Sequence, residues 1–179
     1  MSGKAYHILR VVLAVSCFSV CATAHAAPDL SAERERQLII ADNDYNGPGG
    51  SDIQSLIPLL ASRKIQLLGL TVATGDGWEN AESEHLRRFL ELAGRTDIPV
   101  FDGAIYPLLN TVDRMRLHEE QYGVLPWKGA WGGSGSIKDA LAEEPVLSPL
   151  PEGKPVLQAS HEQAAQFMIR AVHAHPHQV

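Results

Sequence analysis

Cysteine is nearly absent from this chain. Only two of its 179 residues are cysteine, Cys17 and Cys21, and both lie within the first 26 residues. A protein that loses this segment has no disulfide framework and no thiolate ligands for a metal ion. Both features are therefore excluded for residues 27–179.

Positive charge is also in short supply. The chain has 15 lysine and arginine residues against 21 aspartate and glutamate residues, which gives a net charge of −6. A surface of this sign repels a phosphate backbone, so a nucleic-acid scaffold is excluded as a function. The length suits one domain with a substantial hydrophobic core. We therefore expect a single acidic domain with no nucleic-acid partner.

The first 26 residues have the pattern of a secretory signal peptide. Lys4 and Arg10 supply a basic start, residues 11–22 are apolar, and residues 24–26 form a small-x-small cleavage site. The apolar run is short for a membrane-spanning helix, so no membrane attachment is expected after cleavage. We predict a periplasmic or secreted protein. Loss of the two basic residues would change the net charge from −6 to −8.

The most informative stretch follows a polar, flexible lead-in at residues 27–36 and opens the predicted domain, residues 37–179. Residues 37–60 read QLIIADNDYNGPGGSDIQSLIPLL. The apolar run that ends at Ala41 predicts a buried strand, and the Gly- and Pro-rich run after it predicts a loop. Apolar residues at helical spacing then predict a helix, with Ser51 as its N-cap.

Three acidic residues accompany these elements. Asp42 and Asp44 stand at the exit of the strand, and Asp52 stands in the first turn of the helix. Ligands of open α/β sheets bind beyond the carboxyl ends of the strands, so the three acids could converge on one ligand. Converging carboxylates repel one another unless a cation lies between them, and the absence of nearby Cys or His favours Ca²⁺ or Mg²⁺. The alternative is that the acids only cap a turn and a helix.

Strands and helices continue to alternate after this stretch. Residues 65–73 predict a second strand, whose exit places Asp76 level with the first acidic loop and Trp78 beside it. A helix over residues 79–93, with its polar side in solvent, and a third strand over residues 98–101 follow. The pattern predicts an α/β fold with a doubly wound, mostly parallel sheet.

The next part of the chain is less regular. Thr111 predicts the N-cap of a helix that runs to about Gln121, and a long loop rich in glycine and tryptophan follows at residues 123–136. Trp127 and Trp131 of this loop could line a pocket for a planar ligand. The alternative is that they only pack the loop against the domain.

The last part of the chain predicts another helix. Ser160 and Gln163 have the spacing of a capping box, and apolar residues follow at helical intervals. Gln178 and Val179 have the character of the first residues of a fourth strand. A doubly wound domain that stops there suggests a fragment.

Five stretches of the chain resemble one family when they are taken together. They are IIADNDYNGPGGSDIQSL, LLGLTVATGDGW, TDIPVFDGAIYPLLNT, LPWKGAW and AAQFMIRAVHAHPHQV. The first is similar to the N-terminal aspartate motif of the inosine/uridine-preferring nucleoside hydrolases, and the others resemble later landmarks of that family. The resemblance runs from about Gln37 to Val179. It implies a sheet of the nucleoside hydrolase type, of which this chain holds the N-terminal portion only.

The resemblance also implies an activity. It is hydrolysis of the N-glycosidic bond of ribonucleosides to ribose and free base, through a calcium-bound water that an aspartate deprotonates. Cleavage of this bond builds oxocarbenium-like charge and needs an activated water. A hard cation held by carboxylates can orient the water and the ribose hydroxyls. The implied cofactor is Ca²⁺ and the implied partner is a small nucleoside; assembly as a homo-oligomer is compatible with this.

Positions in the resembling motifs assign roles to individual residues. Asp44 would be the general base and a metal ligand, and Asp52 would be the second metal carboxylate. Asp42 would bind the ribose or belong to the metal shell. Asp76 would lie near the ribose, and Trp78 would be a substrate-binding neighbour.

Two alternatives remain open. A strand that ends in D-x-D also fits a haloacid-dehalogenase-like phosphatase, with Asp42 as nucleophile, Asp44 as acid/base and Mg²⁺ as cofactor. The non-enzymatic alternative is a nucleoside- or ribose-binding remnant. It would keep the acidic pocket without the catalytic groups that the family carries further along its chain, and the chain alone would then be inactive.

Overall fold

The structure is a computed structural model, and it describes residues 36–179. The predicted signal peptide, residues 1–26, lies outside the described residues, as does the predicted lead-in except for Arg36. Both therefore stay predictions. Among residues 36–179, no helix has the length and apolar character needed to cross a membrane.

Strands and helices alternate in the first half of the described chain. The elements are β1 (Gln37–Asn43), α1 (Ser51–Ala61), β2 (Ile65–Val72), α2 (Glu79–Leu92) and β3 (Val100–Asp102). The second half holds α3 (Val112–Tyr122), two 3₁₀ turns (Gly129–Trp131 and Ile137–Asp139) and α4 (Ala164–Ala174). The strands pair in the order β1, β2, β3, and both pairs are parallel. The predicted α/β fold with a parallel sheet is confirmed.

Helices cover both faces of this sheet. Leu70 and Val72 of β2 belong to a core cluster with residues of α1 and α2 such as Leu56 and Leu90. Leu68 packs against a second cluster, which is built around Phe167 of α4. Four consecutive residues at the carboxyl end of β2, residues 69–72, are buried. Because successive residues of a strand face opposite sides, this end of the strand is covered on both faces. This arrangement is the doubly wound type that the alternation predicts.

Two boundaries near the first strand differ from the prediction. β1 continues past Ala41, because Asp42 pairs in register with Thr71 of β2. The N-cap of α1 is Gly50 rather than Ser51, and no side chain caps this helix. The first helical hydrogen bond runs from the Gln54 N–H to the Gly50 carbonyl oxygen, so the helix begins one residue earlier than the cap pattern indicates.

The predicted capping box of the last helix is wrong. Gln163 is the N-cap of α4, and its side chain makes no capping bond. Ser160 instead joins the edge of the sheet, where its N–H donates to the Val100 carbonyl oxygen at 2.8 Å. Its Oγ accepts from the Glu162 N–H. Sheet pairing therefore takes the residue that local sequence assigns to the helix start.

The two other predictions on local structure have opposite outcomes. Thr111 caps α3 as predicted, with its Oγ1 accepting from the Arg114 N–H at 3.2 Å. The strand expected at Gln178 and Val179 is not found, since Gln178 lies in a turn and Val179 has no regular structure. The α4 segment ends in this turn.

The tightest packing in the sheet lies at Gly69 of β2. The rings of Phe101 and Phe167 stack beside it, with centroids 3.8 Å apart and planes 7° from parallel. A Cβ atom at Gly69 would lie 2.7 Å from both rings. The absence of a side chain at this position therefore lets α4 approach the sheet.

We predict that Gly69→Ala lowers the free energy of unfolding by about 1–3 kcal/mol, because the new methyl group overpacks the aromatic pair. Urea denaturation followed by circular dichroism measures the change. Gly49→Ala is the matched control, since a Cβ atom there meets nothing within 4 Å. We expect its stability to be unchanged within about 0.5 kcal/mol. Equal losses in the two variants would contradict the packing assigned to Gly69.

Candidate metal centre

Three carboxylates meet at the carboxyl edge of the sheet. Asp44 follows β1, Asp52 lies in the first turn of α1, and Asp76 follows β2. One oxygen from each lies within 4.8 Å of the others, and all three residues are partly buried. β1 and β2 are adjacent and parallel, so their exits bring Asp44 and Asp76 together. An all-carboxylate group of this kind suits a hard divalent cation.

A direct hydrogen bond joins the two strand exits. The Asp76 N–H donates to Oδ2 of Asp44 at 2.8 Å. A Cβ atom at Gly75 would lie only 2.1 Å from this same oxygen, so the carboxylate can reach the second loop only because residue 75 is glycine. Gly75 is thus a residue of the site that the acidic pattern alone does not indicate. The sequence feature that points to it is a glycine directly before an acid at the end of a strand.

Asp42 lies beside this group and is not one of its members. Its Oδ1 accepts from the hydroxyl of Thr71, a fully buried residue of β2. Asp42 itself is exposed and borders a cavity of about 310 Å³, which Val72 and Met168 also line. Its assigned role in ribose binding or in the metal shell stays a prediction.

Trp78 is the residue that leads into α2. It is 8% exposed, and its ring meets the ring of Tyr106 edge to face with centroids 6.1 Å apart. Next to it, the Glu79 N–H donates to the hydroxyl of Thr74 at 2.9 Å. These contacts hold the start of α2 against the second acidic loop, which is the turn at residues 74–77 that carries Asp76. The predicted contact of Trp78 with substrate stays a prediction.

A fourth acid lies behind the group. Glu82 of α2 is fully buried, and one of its oxygens accepts from the Gly77 N–H. The other oxygen has no hydrogen-bond partner within residues 36–179. Burial raises the pKa of Glu82 to about 8, the Gly77 bond opposes this rise, and the negative charges of Asp44, Asp76 and Asp52 add to it. Glu82 therefore supports the second acidic loop as a neutral acid near pH 7.

A second buried acid stands at the start of the same helix. Burial raises the pKa of Glu79 to about 8, and the nearby carboxylates of Asp102 and Glu144 raise it further, against the effect of Arg87. The polar side of α2 is predicted to face solvent, and this is wrong for its first turns. Both acids face the interior, because the strand exits and the segment around Glu144 cover them.

The long loop at residues 123–136 contacts the site through one tryptophan. The indole N–H of Trp127 donates to Oδ1 of Asp76 at 2.6 Å. The Ala130 N–H donates to the Gly75 carbonyl oxygen at 2.8 Å. Trp131 lines two neighbouring cavities of about 250 and 130 Å³, and Pro107 borders both. The loop therefore packs onto the second acidic loop, as the packing alternative predicts. Binding of a planar ligand by Trp127 and Trp131 stays a prediction.

We predict that Glu79→Gln flattens the pH dependence of stability in EDTA between pH 5 and 8. A carboxyl whose pKa is raised by folding stabilises the folded state while it is protonated, fully below its ordinary value of 4.5. That contribution is lost as the pH rises towards 8, with a slope of up to ~1.4 kcal/mol per pH unit for each carboxyl. Urea denaturation at each pH measures the slope.

The control for this prediction is Glu120→Gln, since Glu120 is exposed on α3. We expect its curve to run parallel to that of the wild type. The Glu79→Gln curve should approach the wild-type curve at pH 5 and lie above it at pH 8. A Glu79→Gln curve parallel to that of the wild type would show that Glu79 is ionised throughout.

Comparison with known proteins identifies relatives. The family described as inosine-uridine preferring nucleoside hydrolase matches residues 39–179. A probable uridine nucleosidase 2 of Arabidopsis thaliana is 30% identical over 128 residues, which cover 72% of this chain and 34% of that protein. An uncharacterised protein of Schizosaccharomyces pombe is 31% identical over 143 residues, which cover 79% of this chain and 32% of that protein.

The name of one bacterial relative includes a substrate specificity. A pyrimidine-specific ribonucleoside hydrolase RihA of Photobacterium profundum is 39% identical over 70 residues, which cover 39% of this chain and 22% of that protein. The chain spans about a third of the length of the plant and yeast relatives. The family match includes the D-x-D residues Asp42 and Asp44, and it gives no support to the phosphatase alternative. The chain belongs to the inosine-uridine preferring nucleoside hydrolase family.

Proposed function

We propose that this protein takes part in the hydrolysis of ribonucleosides to ribose and free base, with Ca²⁺ held by Asp44, Asp52 and Asp76. The observation that carries the proposal is the meeting of these three carboxylates at the carboxyl edge of the sheet, in a chain of this family. The names of the plant and bacterial relatives support a nucleoside substrate. Because the chain spans about a third of the plant relative, the activity is proposed for the whole protein.

The residues present fit a calcium ion. All three candidate ligands are carboxylates, and the group contains no histidine or cysteine. Ca²⁺ accepts irregular oxygen shells, whereas Mg²⁺ requires a near-ideal octahedron. Two of the ligands come from loops and one from a helix start, so an irregular shell is expected. Burial raises the pKa of Glu82 to about 8, so Glu82 adds little negative charge to the metal-free group near pH 7.

The proposed role of each acid depends on which of its carboxylate oxygens already accept hydrogen bonds within the protein. A bound Ca²⁺ would supply positive charge that attracts water and sugar hydroxyl oxygens. Asp44 uses Oδ2 to accept from Asp76, and its Oδ1 has no hydrogen-bond partner within residues 36–179. This oxygen is available to take a proton from the attacking water, as a general base does. Asp42 is an exposed residue that borders the cavity next to Val72, where its carboxylate can accept from a ribose hydroxyl.

The position of these acids also suits the charge that develops during the reaction. Cleavage of a glycosidic bond gives the anomeric carbon oxocarbenium character. Carboxylates fixed in place by hydrogen bonds stabilise such charge without reorganising as it forms. The bonds from Thr71 to Asp42 and from the Asp76 N–H to Asp44 hold the two acids in this way.

We predict that Asp44→Asn weakens Ca²⁺ binding by roughly two orders of magnitude, since the site loses one of its three negative charges. The amide oxygen can still accept from the Asp76 N–H, so the fold should be retained. Isothermal titration calorimetry measures binding, and a reducing-sugar assay measures ribose released from uridine and inosine. We expect ribose release to require Ca²⁺ and to be lost in the variant.

Asp113→Asn is the matched control for charge, since this acid is on α3 and its side chain is 89% exposed. It should bind Ca²⁺ as the wild type does. Normal binding by Asp44→Asn would overturn the metal assignment. Ribose release is measured on the whole protein, and calcium and nucleoside binding by the whole wild-type protein without ribose release would favour the non-catalytic binding alternative.

We also propose that residues 1–26 direct export to the periplasm or the medium. Small residues at positions 24 and 26 support cleavage after Ala26. N-terminal sequencing of the protein recovered from the periplasm or medium of an expressing bacterium should begin at Ala27. Recovery of a chain that begins at Met1 from the cytoplasm alone would contradict export.

A further inference from the structure

The contact between Trp127 and Asp76 links distant parts of the chain at the candidate metal centre. The indole N–H and Oδ1 of Asp76 are 2.6 Å apart, although the residues are 51 positions apart in the sequence. Trp127 is 53% exposed, so burial of its ring alone does not account for its position. A charge-assisted bond of this length restricts the orientation of the carboxylate.

The loop that carries Trp127 is anchored at the second acidic loop. Gly129 lies so close to Gly75 that a Cβ atom would come within 2.2 Å of the Gly75 carbonyl oxygen, and its φ of +55° also favours glycine. Lys128, directly after Trp127, has a fully buried side chain whose Nζ donates to the Leu125 carbonyl oxygen at 2.9 Å. The same Nζ lies 3.4 Å from a carboxylate oxygen of Glu119.

The ring of Trp127 also packs against the backbone of its own loop. A Cβ atom at Gly133 would lie 3.1 Å from the ring, so the six-membered ring rests directly on the Gly133 backbone. The Gly133 carbonyl oxygen accepts from the Lys128 N–H at 2.9 Å. The indole is therefore fixed on one side by its loop while its N–H points at Asp76.

We propose that Trp127 is a positioning residue for the metal centre. Its indole N–H binds Oδ1 of Asp76 and leaves Oδ2 for the cation, and this inference rests on the metal site of the proposed function. Residues that hold metal ligands by hydrogen bonds fix the orientation of those ligands before the ion arrives. Asp44 has a matching arrangement, since the Asp76 N–H holds one of its oxygens. Both loop acids of the site are thus oriented by N–H donors.

The chain offers a matched pair of variants for the test. Trp127→Phe removes the N–H that binds Asp76 and retains an aromatic ring. Trp131→Phe, in the same loop, removes a buried indole N–H that has no hydrogen-bond partner within residues 36–179. A difference between the two variants therefore reports the bond to Asp76 rather than the general packing of the loop.

Calcium titration by calorimetry is the first measurement. We expect the Kd of Trp127→Phe to rise about 10-fold, the lower end of the effect of losing a group that holds a ligand. The Kd of Trp131→Phe should stay within about 2-fold of the wild type. A wild-type Kd in Trp127→Phe, or an equal rise in both variants, would overturn the inference. Absence of calcium binding by the wild type would instead overturn the proposed metal site, and the inference with it.

The second measurement follows the indole N–H signals of the wild type by NMR while Ca²⁺ is added. The chain has three tryptophans, so a ¹H–¹⁵N correlation spectrum should contain three indole N–H signals. The signal missing in Trp127→Phe identifies Trp127. We expect this signal to shift in the wild type as Ca²⁺ is added, with the Trp131 signal unchanged. A Trp127 signal that does not shift while Ca²⁺ binds would overturn the inference.

Discussion

Electrostatic repulsion between Asp44, Asp52 and Asp76 is the constraint on which the arrangement of this site depends. Three carboxylate oxygens within 4.8 Å of one another destabilise the folded chain unless positive charge or hydrogen-bond donors offset the repulsion. The chain supplies two such donors, the Asp76 N–H to Asp44 and the Trp127 indole N–H to Asp76. They offset the repulsion only in part, because neither donor carries a full charge. The remaining excess of negative charge is the basis of the cation affinity that we propose for the site.

Two further residues, Gly75 and Glu82, affect the position and the charge of this group. Gly75 lets the carboxylate of Asp44 approach the loop after β2, since any side chain there would occupy the place of the oxygen. Glu82 lies behind the group, and its raised pKa keeps it neutral near pH 7, so the core beneath the acids gains no further charge. A neutral carboxyl can still accept from the Gly77 N–H. The loop is thus supported from its buried side by the hydrogen bond from the Gly77 N–H to Glu82.

The sequence predicts those parts of the fold and site that depend on local pattern. The alternation of strands and helices follows from apolar spacing, and the approach of Asp76 to Asp44 follows from the parallel strand exits. The convergence predicted for Asp42, Asp44 and Asp52 differs from the observed group, in which Asp76 takes the place of Asp42. The capping box at Ser160 fails because pairing with β3 outweighs a local preference. The burial of Glu82 and the bond between Trp127 and Asp76 depend on contacts between distant segments. Helical periodicity and composition contain no information on such contacts.

The charge of the site bears on the type of reaction it can support. Three carboxylates and one divalent cation leave a net charge of about −1, if each acid is ionised. A positively charged, oxocarbenium-like centre placed beside this group is therefore stabilised, whereas a developing anion would be repelled. A bound Ca²⁺ would take about six to eight oxygen ligands, so the three carboxylates would leave positions for water and sugar hydroxyls. Cleavage at an anomeric carbon matches both properties, and phosphoryl transfer, which gathers negative charge, matches the net charge less well.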